Sequence, residues 1–161
     1  MKSLNVGKIV NTFGIKGELK IVTRFEMPQK VFKKGSILHI NNTDYIITNV
    51  RFHHHNYLIE LNNIKDINQI EFLKGYDVFF NEEDLHLKED EYIISELLDY
   101  KVISNNQEIG KVTDFDNNII NPLIKINNRF YIPLKGNYII KIDKENKTIY
   151  AKDLEGLIIW K

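Results

Sequence analysis

No cysteine occurs in the 161-residue sequence. That excludes a disulfide framework, a thiolate metal site and a cysteine nucleophile, and it is the usage expected in a reducing cytoplasm. No apolar run approaches the roughly 18–20 residues that a membrane span needs. Met1-Lys2-Ser3 leads straight into a strand-like pattern without a signal-peptide core. The expectation is a soluble, cytoplasmic chain with no membrane partner. An excess of one charge is also missing: 22 Lys+Arg balance 22 Asp+Glu, unlike domains that grip nucleic acid by bulk positive charge. No Ser/His/Asp constellation stands out from chance. Asp114 and Asp116 have no partnered nucleophile, so they read as solvated turn acids. No catalytic residue and no enzymatic activity is expected.

What is present is globular. Hydrophobic residues make up 43% and charged residues 27%, enough to bury a core and far from a disordered composition. The length allows one ordinary domain or two small ones. The zero net charge hides a gradient. Residues 1–51 hold 9 basic and 3 acidic side chains, 52–85 hold 2 and 7, 86–100 hold 1 and 5, and 101–161 hold 10 and 7. A basic opening and an acidic middle imply a polarised surface that meets RNA on one side and a basic protein on another; the alternative is a set of solvated strand lysines.

The hydrophobic pattern is that of short strands. Ile9-Val10 and Leu19 to Val22 flank the loop Phe13-Gly14-Ile15-Lys16-Gly17, and Pro28 favours a turn or a short helical start. Pairs of apolar runs then surround Asn41-Asn42, Asn105-Asn106 and Asn127-Asn128, where asparagine tolerates the positive φ of tight hairpins. One helix is predicted over Asp66–Lys74, with Asp66 as cap, Gln69 as its capping-box partner, Ile67, Ile70 and Leu73 as the apolar face and Gly75 as the stop. Asn81 to Glu91 is acidic and reads as a linker with little to bury. After it, Ser95 is positioned to cap a single helical turn. Val102, Ile109, Val112, Ile124, Ile126, Ile132, Leu134, Ile140 and Ile142 then form a second core. The predicted class is all-β: two small barrels joined by an acidic linker, with one short helix at the end of the first. The predicted boundaries are 1–81, 82–91 and 92–161.

His53-His54-His55 is the most conspicuous local cluster. Adjacent strand residues alternate faces, and no second His or Cys group completes a tetrahedral set. A surface turn is therefore preferred over a metal site, with protonation adding to the basic character of that edge. Gly14-Ile15-Lys16-Gly17 matches neither phosphate-loop nor dinucleotide fingerprints, and its glycines are assigned to a tight turn. Tyr92, Tyr131-Ile132-Pro133 and Trp160 are candidate protein contacts, with barrel core the alternative for Tyr131 and a mobile tail the alternative for Trp160.

An ordered set of short motifs runs along the chain: Gly7, Gly14, Gly17-Glu18-Leu19; Leu73-Lys74-Gly75; Tyr92 with Glu96-Leu97; Ile109-Gly110-Lys111-Val112 with Asn121-Pro122-Leu123; Tyr131-Ile132-Pro133; and Gly156-Leu157. It resembles the RimM family of bacterial ribosome maturation factors, whose carboxyl-terminal half is a PRC barrel. The resemblance implies a non-enzymatic, monomeric factor without cofactor or metal. It implies binding to the immature 30S subunit through the small-subunit head protein S-nineteen and adjacent 16S rRNA, and a role in assembly and rRNA processing. On that basis Tyr92, Ile93, Glu96, Leu97, Tyr131 and Pro133 are candidates for the ribosomal-protein contact. Lys8, Lys16, Lys20, Arg24 and Arg51 are candidates for rRNA phosphate, and Gly14 and Gly17 for loop geometry. Two positions depart from the family pattern. Phe13 stands where the family commonly has His, and Tyr92-Ile93 stands where it usually has two adjacent tyrosines. The alternatives are a PRC-barrel adaptor without a ribosomal role and a barrel that binds a small ligand.

Overall fold

The computed structural model describes residues 2–118 and 120–158; Trp160 lies outside them. The chain divides into two units, Met1–Leu87 and Lys88–Lys161. Among the described residues no helix is long and apolar enough to cross a membrane.

The first unit contains β1 (Ser3–Phe13), β2 (Glu18–Val22), a single helical turn α1 (Pro28–Val31), β3 (Ile37–Ile40), β4 (Thr43–His53), β5 (Asn56–Leu61) and β6 (Asp77–Asn81). The strands close into a barrel in the order β1-β2-β5-β4-β3-β6, with β6 returning antiparallel onto β1. Alternation sends one set of side chains inward, and Ile9, Leu19, Ile21, Leu38, Ile40 and Ile47 fill the interior with almost no exposure. The β3–β4 hairpin turns on Asn41 and Asn42, both at positive φ (49° and 63°), as a two-residue turn matched to strand twist requires. The β4–β5 hairpin uses the same device with other residues: His54 and His55 sit at φ 44° and 68°, and His is one of the few side chains that tolerate this region. The histidine cluster is thus a hairpin tip.

The segment predicted as one helix over Asp66–Lys74 is instead two successive 3-10 turns, Ile67–Gln69 and Glu71–Leu73. Its apolar residues explain why. Ile67, Ile70 and Leu73 recur every third residue, which lines up on a three-residue turn and drifts off one face of an α-helix, and all three are buried. Asp66 caps as expected, its side chain accepting from the Asn68 amide at 3.0 Å. Part of the acidic stretch is also more structured than its charge indicates. Glu82–Leu85 forms a 3-10 turn capped by Asn81, whose side chain accepts from Glu83 N, and Leu85 is buried.

The second unit holds β7 (Lys101–Ser104), β8 (Gln107–Asp116), β9 (Leu123–Ile126), β10 (Phe130–Pro133), β11 (Ile139–Asp143), β12 (Thr148–Ala151) and the turn α2 (Glu155–Ile158). They form a six-stranded sheet ordered β10-β9-β8-β7-β12-β11, in which β12 runs parallel to β7 and every other neighbouring pair is antiparallel. Asn105-Asn106 and Asn127-Asn128 make the β7–β8 and β9–β10 turns, all four at positive φ. Val102, Val112, Ile124, Ile126, Ile132 and Leu134 are buried in one cluster, as the alternation predicts. Ile140 departs from it at 62% exposure. The β11–β12 register shifts between Ile139 and Lys141, so Ile140 is the extra residue of a bulge and leaves the inward series. The turn over Ile94–Leu97 is preceded by Ile93, not capped by Ser95.

Candidate functional site

On the first unit the outer face of β2, β5 and β4 gathers charge. In the register Lys20 lies opposite Leu58, and Leu58 opposite Arg51, so the three share the face away from the Leu19–Ile59 interior. Arg51 makes a two-pronged ion pair with Glu18, Nε to Oε2 at 2.8 Å and Nη2 to Oε1 at 2.9 Å. The guanidinium also stands 5.3 Å from the centroid of Phe13. The Phe13 ring in turn meets His53 edge-on at 5.1 Å, and His53 meets His54 at 4.0 Å. One aromatic ring therefore holds both a guanidinium and an imidazole in place.

The electrostatics follow from this crowding. The hydrogen bonds from Arg51, reinforced by its charge and those of His53 and Lys16, hold the Glu18 carboxyl below its ordinary range, against a smaller opposing effect of burial. His53 is pushed below its ordinary value, first by desolvation and then by His54, Arg51 and Lys20. Packing against Phe13 among cations favours the neutral ring at His53. The positive face is supplied by Lys16, Lys20 and Arg51, with Glu18 at its centre. Lys8 lies further along the same ladder, opposite Val22, and Arg24 is exposed in the connection after β2.

Gly17 locks the loop that carries Lys16. It is buried with φ +93°, and a Cβ there would stand 2.3 Å from the carbonyl oxygen of Ile64. The amide of Ile67 donates to Ile15 O at 3.2 Å, tying the loop to the 62–67 connection. Gly14 has φ +65° and open space around it, so of the loop's two glycines Gly14 is the plain turn glycine. Beside Gly17, Lys65 reaches back to buried Glu60 at 2.6 Å, and Thr48 Oγ1 donates to the same carboxylate at 2.9 Å. Those bonds, Lys65 first, depress the Glu60 pKa despite its burial. A carboxyl depressed in the fold stabilises it above the unfolded value of about 4.3 and loses that contribution as pH falls through the folded value. Glu60→Gln is expected to lower stability at pH 7 by about 1 kcal/mol, because Lys65 is largely in solvent. The deficit should shrink toward zero below the ordinary carboxyl range. Thermal melts of both proteins from pH 3 to 7 measure this, and a deficit independent of pH counts against the ion pair.

On the second unit the predicted protein-contact residues separate into two groups. Ile93 is 4% exposed and Leu97 is buried in the core cluster, so both support the fold and neither offers a surface. Tyr92 is half-buried against that core and borders a cavity of about 490 Å³ with Glu89, Asp90, Leu134, Ile139 and Ile142. Glu96 is exposed on the following turn. Tyr131 is 42% exposed, because Phe130 and Ile132 on either side of it take the inward positions of β10. It lies opposite Lys125 on β9, whose ammonium stands 5.4 Å from the ring centroid. Pro133 ends the strand, half-buried. Tyr131 is therefore a surface aromatic, not core.

The first unit matches the family model for the RimM N-terminal domain over residues 4–85, and the second matches the RimM PRC barrel domain over residues 94–157. The chain belongs to the RimM family. Ribosome maturation factor RimM of Staphylococcus haemolyticus is 33% identical, covering 96% of this chain and 98% of that protein. The RimM of Oenococcus oeni is 32% identical over 98% of both. A Pseudomonas aeruginosa crystal structure described as a 16S ribosomal RNA processing protein RimM aligns with TM-score 0.47 at 17% identity, covering 94% of this chain and 98% of that one. Within this chain the departures from the expected pattern now have physical content. Phe13, standing for the family's histidine, is the ring on which Arg51 and His53 rest. Ile93, standing for a second tyrosine, is buried, where a phenol hydroxyl would need a partner. Sequence reasoning missed Glu18 as the partner of Arg51, since 33 residues separate them.

Proposed function

We propose that this protein binds the immature 30S ribosomal subunit and assists its assembly and 16S rRNA processing, acting as a cytoplasmic, monomeric, non-enzymatic factor. The observation that carries the proposal is a chain of the RimM family, matched over 98% of a relative's length, whose first unit presents Lys20 and Arg51 on one strand face with Lys16 of the adjoining loop near the same carboxylate. Such cations bind phosphate without reading bases. The second unit offers Tyr131 and Tyr92, with Glu96 and Pro133 beside them in sequence, to a head protein, S-nineteen in the family. Exposed aromatics anchor interfaces, and acids complement a basic ribosomal protein. The factor works by differential affinity: tighter binding to an immature arrangement than to the mature one shifts folding toward completion and releases the factor afterwards.

Gradient sedimentation of lysate tests this. The protein should co-migrate with free 30S particles and be weaker on whole ribosomes; confinement to the soluble fractions at low salt sinks the proposal. Tyr131→Ala should weaken the 30S association about 10- to 30-fold, the scale of an interface hot spot. Its melting temperature should stay near that of the parent, because the ring lies outside the core. Unchanged association removes Tyr131 from the interface.

A further inference from the structure

A second place on the first unit has the features of a built ligand site. A cavity of about 350 Å³ is lined by Lys33, Lys34, Ser36, Phe80, Asp84 and His86, with Gly35 and Ile37 completing its wall. Two separate stretches form it, and the antiparallel contact of His39 on β3 with Phe79 on β6 brings them together. The Lys33–Ser36 segment is a tight turn: Ser36 N donates to Lys33 O at 3.2 Å, and Gly35 takes φ +92°, which places Lys34 at the corner. The turn is fastened to β4 from both sides. Gly35 N donates to Ile47 O at 2.8 Å, and Ile47 N donates to Ser36 O at 2.9 Å.

The Ser36 side chain is left over from this bonding. The residue is 7% exposed, yet its Oγ is buried with no hydrogen-bond partner. A buried hydroxyl without a partner is costly, and native structures retain few of them. Here Ser36 lines a cavity that two lysines and an imidazole also line, and one χ1 rotation turns a buried serine hydroxyl toward a new acceptor. The one acid in the lining is Asp84. That balance selects an anion. The volume exceeds what a bare phosphate ion fills and lies in the range of small-ligand sites. Ile37, 41% exposed, adds an apolar side to it, with Phe80 buried behind.

We infer that this cavity seats one nucleotide of a single-stranded RNA. Its phosphate is held by Lys33, Lys34, the His86 ring and the Ser36 hydroxyl, and its sugar or base lies against Ile37. RNA as the source of that phosphate rests on the ribosomal function proposed above; the phosphate chemistry does not. This subsite is distinct from the lysine face of β2 and β4. It is the more structured of the two, because an interior hydroxyl and an apolar wall accompany the charges.

The experiment uses the isotope-labelled full chain, titrated separately with inorganic phosphate, a nucleoside 5′-monophosphate and a six-nucleotide single-stranded RNA. RNA and monophosphate should move the amide signals of Lys34, Gly35 and Ser36, with inorganic phosphate at least tenfold weaker. Ser36→Ala should weaken the oligonucleotide about 5- to 10-fold while leaving the melting temperature unchanged or higher, since the hydroxyl bonds nothing in the free protein. Lys34→Gln should weaken it and lower the slope of log affinity against log salt by about one. The assignment falls if neither RNA nor monophosphate shifts these amides at millimolar concentration. It also falls if inorganic phosphate binds as well as RNA, which marks a generic anion site, or if Ser36→Ala loses stability and keeps its affinity. Oligonucleotide binding at these amides by a protein that fails to co-sediment with 30S particles would sink the ribosomal proposal and leave the subsite standing.

Discussion

Replacing Gly17 with alanine is expected to destabilise the first unit by about 3–5 kcal/mol, whereas the same change at Gly14 should cost about 1 kcal/mol. Both glycines have positive φ, so both variants carry backbone strain. Only at Gly17 does the new Cβ also meet backbone, 2.3 Å from Ile64 O. Relief requires the 62–67 connection to move away, and that connection is held by the bond from Ile67 N to Ile15 O and by the Lys65–Glu60 pair. A small domain is stable by only about 5–15 kcal/mol in all, so the loss at Gly17 is a large fraction of the total. Denaturant titration measures both variants. Equal costs at the two positions would mean that the loop is not clamped against Ile64. The loop also carries Lys16, so Gly17→Ala should weaken binding of single-stranded RNA at denaturant-free conditions where most chains are still folded.

The architecture was legible where a local rule decides the outcome. Asparagine pairs between apolar runs marked three hairpins because positive φ at two successive residues is a demand few side chains meet. The His54-His55 turn obeys the same rule, and its signal was present in the apolar runs on either side. The mismatch of three adjacent imidazoles with metal-site spacing led to the same surface turn. At Ile67, Ile70 and Leu73 a strict three-residue period was visible and pointed to 3-10 geometry, yet a helical cap and a glycine stop occur in both kinds of helix. Tyr131 stayed open between surface and core in the sequence, and the inward positions of Phe130 and Ile132 decide it for the surface. Ile140 was not: a bulge is a property of two paired strands, and one strand's pattern does not reveal it. The lysine face was half legible. Its cations could be counted from the sequence. The pairing of Arg51 with Glu18 is set by the β2-β5-β4 strand order, which joins residues distant in the chain.

That pairing yields the second large effect. Lys16→Glu with Lys20→Glu should reduce affinity for RNA about 100-fold at low salt, because two phosphate partners are lost and two repulsive charges added, and the salt slope should fall by about two. Arg51 should behave differently. Its Nε–Nη2 edge is engaged by Glu18 at 2.8 and 2.9 Å and that carboxylate offsets its charge, so Arg51→Gln is expected to change RNA affinity much less than Lys20→Gln does. Its main effect is to release Glu18 and loosen Phe13. Glu18→Gln runs the other way. It frees the guanidinium, removes the acid at the centre of the basic face and should strengthen RNA binding several-fold, with a salt slope steeper by about one. Fluorescence anisotropy of a labelled single-stranded RNA across a salt series distinguishes these outcomes. If Arg51→Gln loses as much affinity as Lys20→Gln, or if Glu18→Gln binds no better than the parent, Glu18 is not restraining Arg51 and the cations of this face act independently. Should the order hold, Glu18 keeps the face from gripping RNA too tightly, as the release proposed above requires.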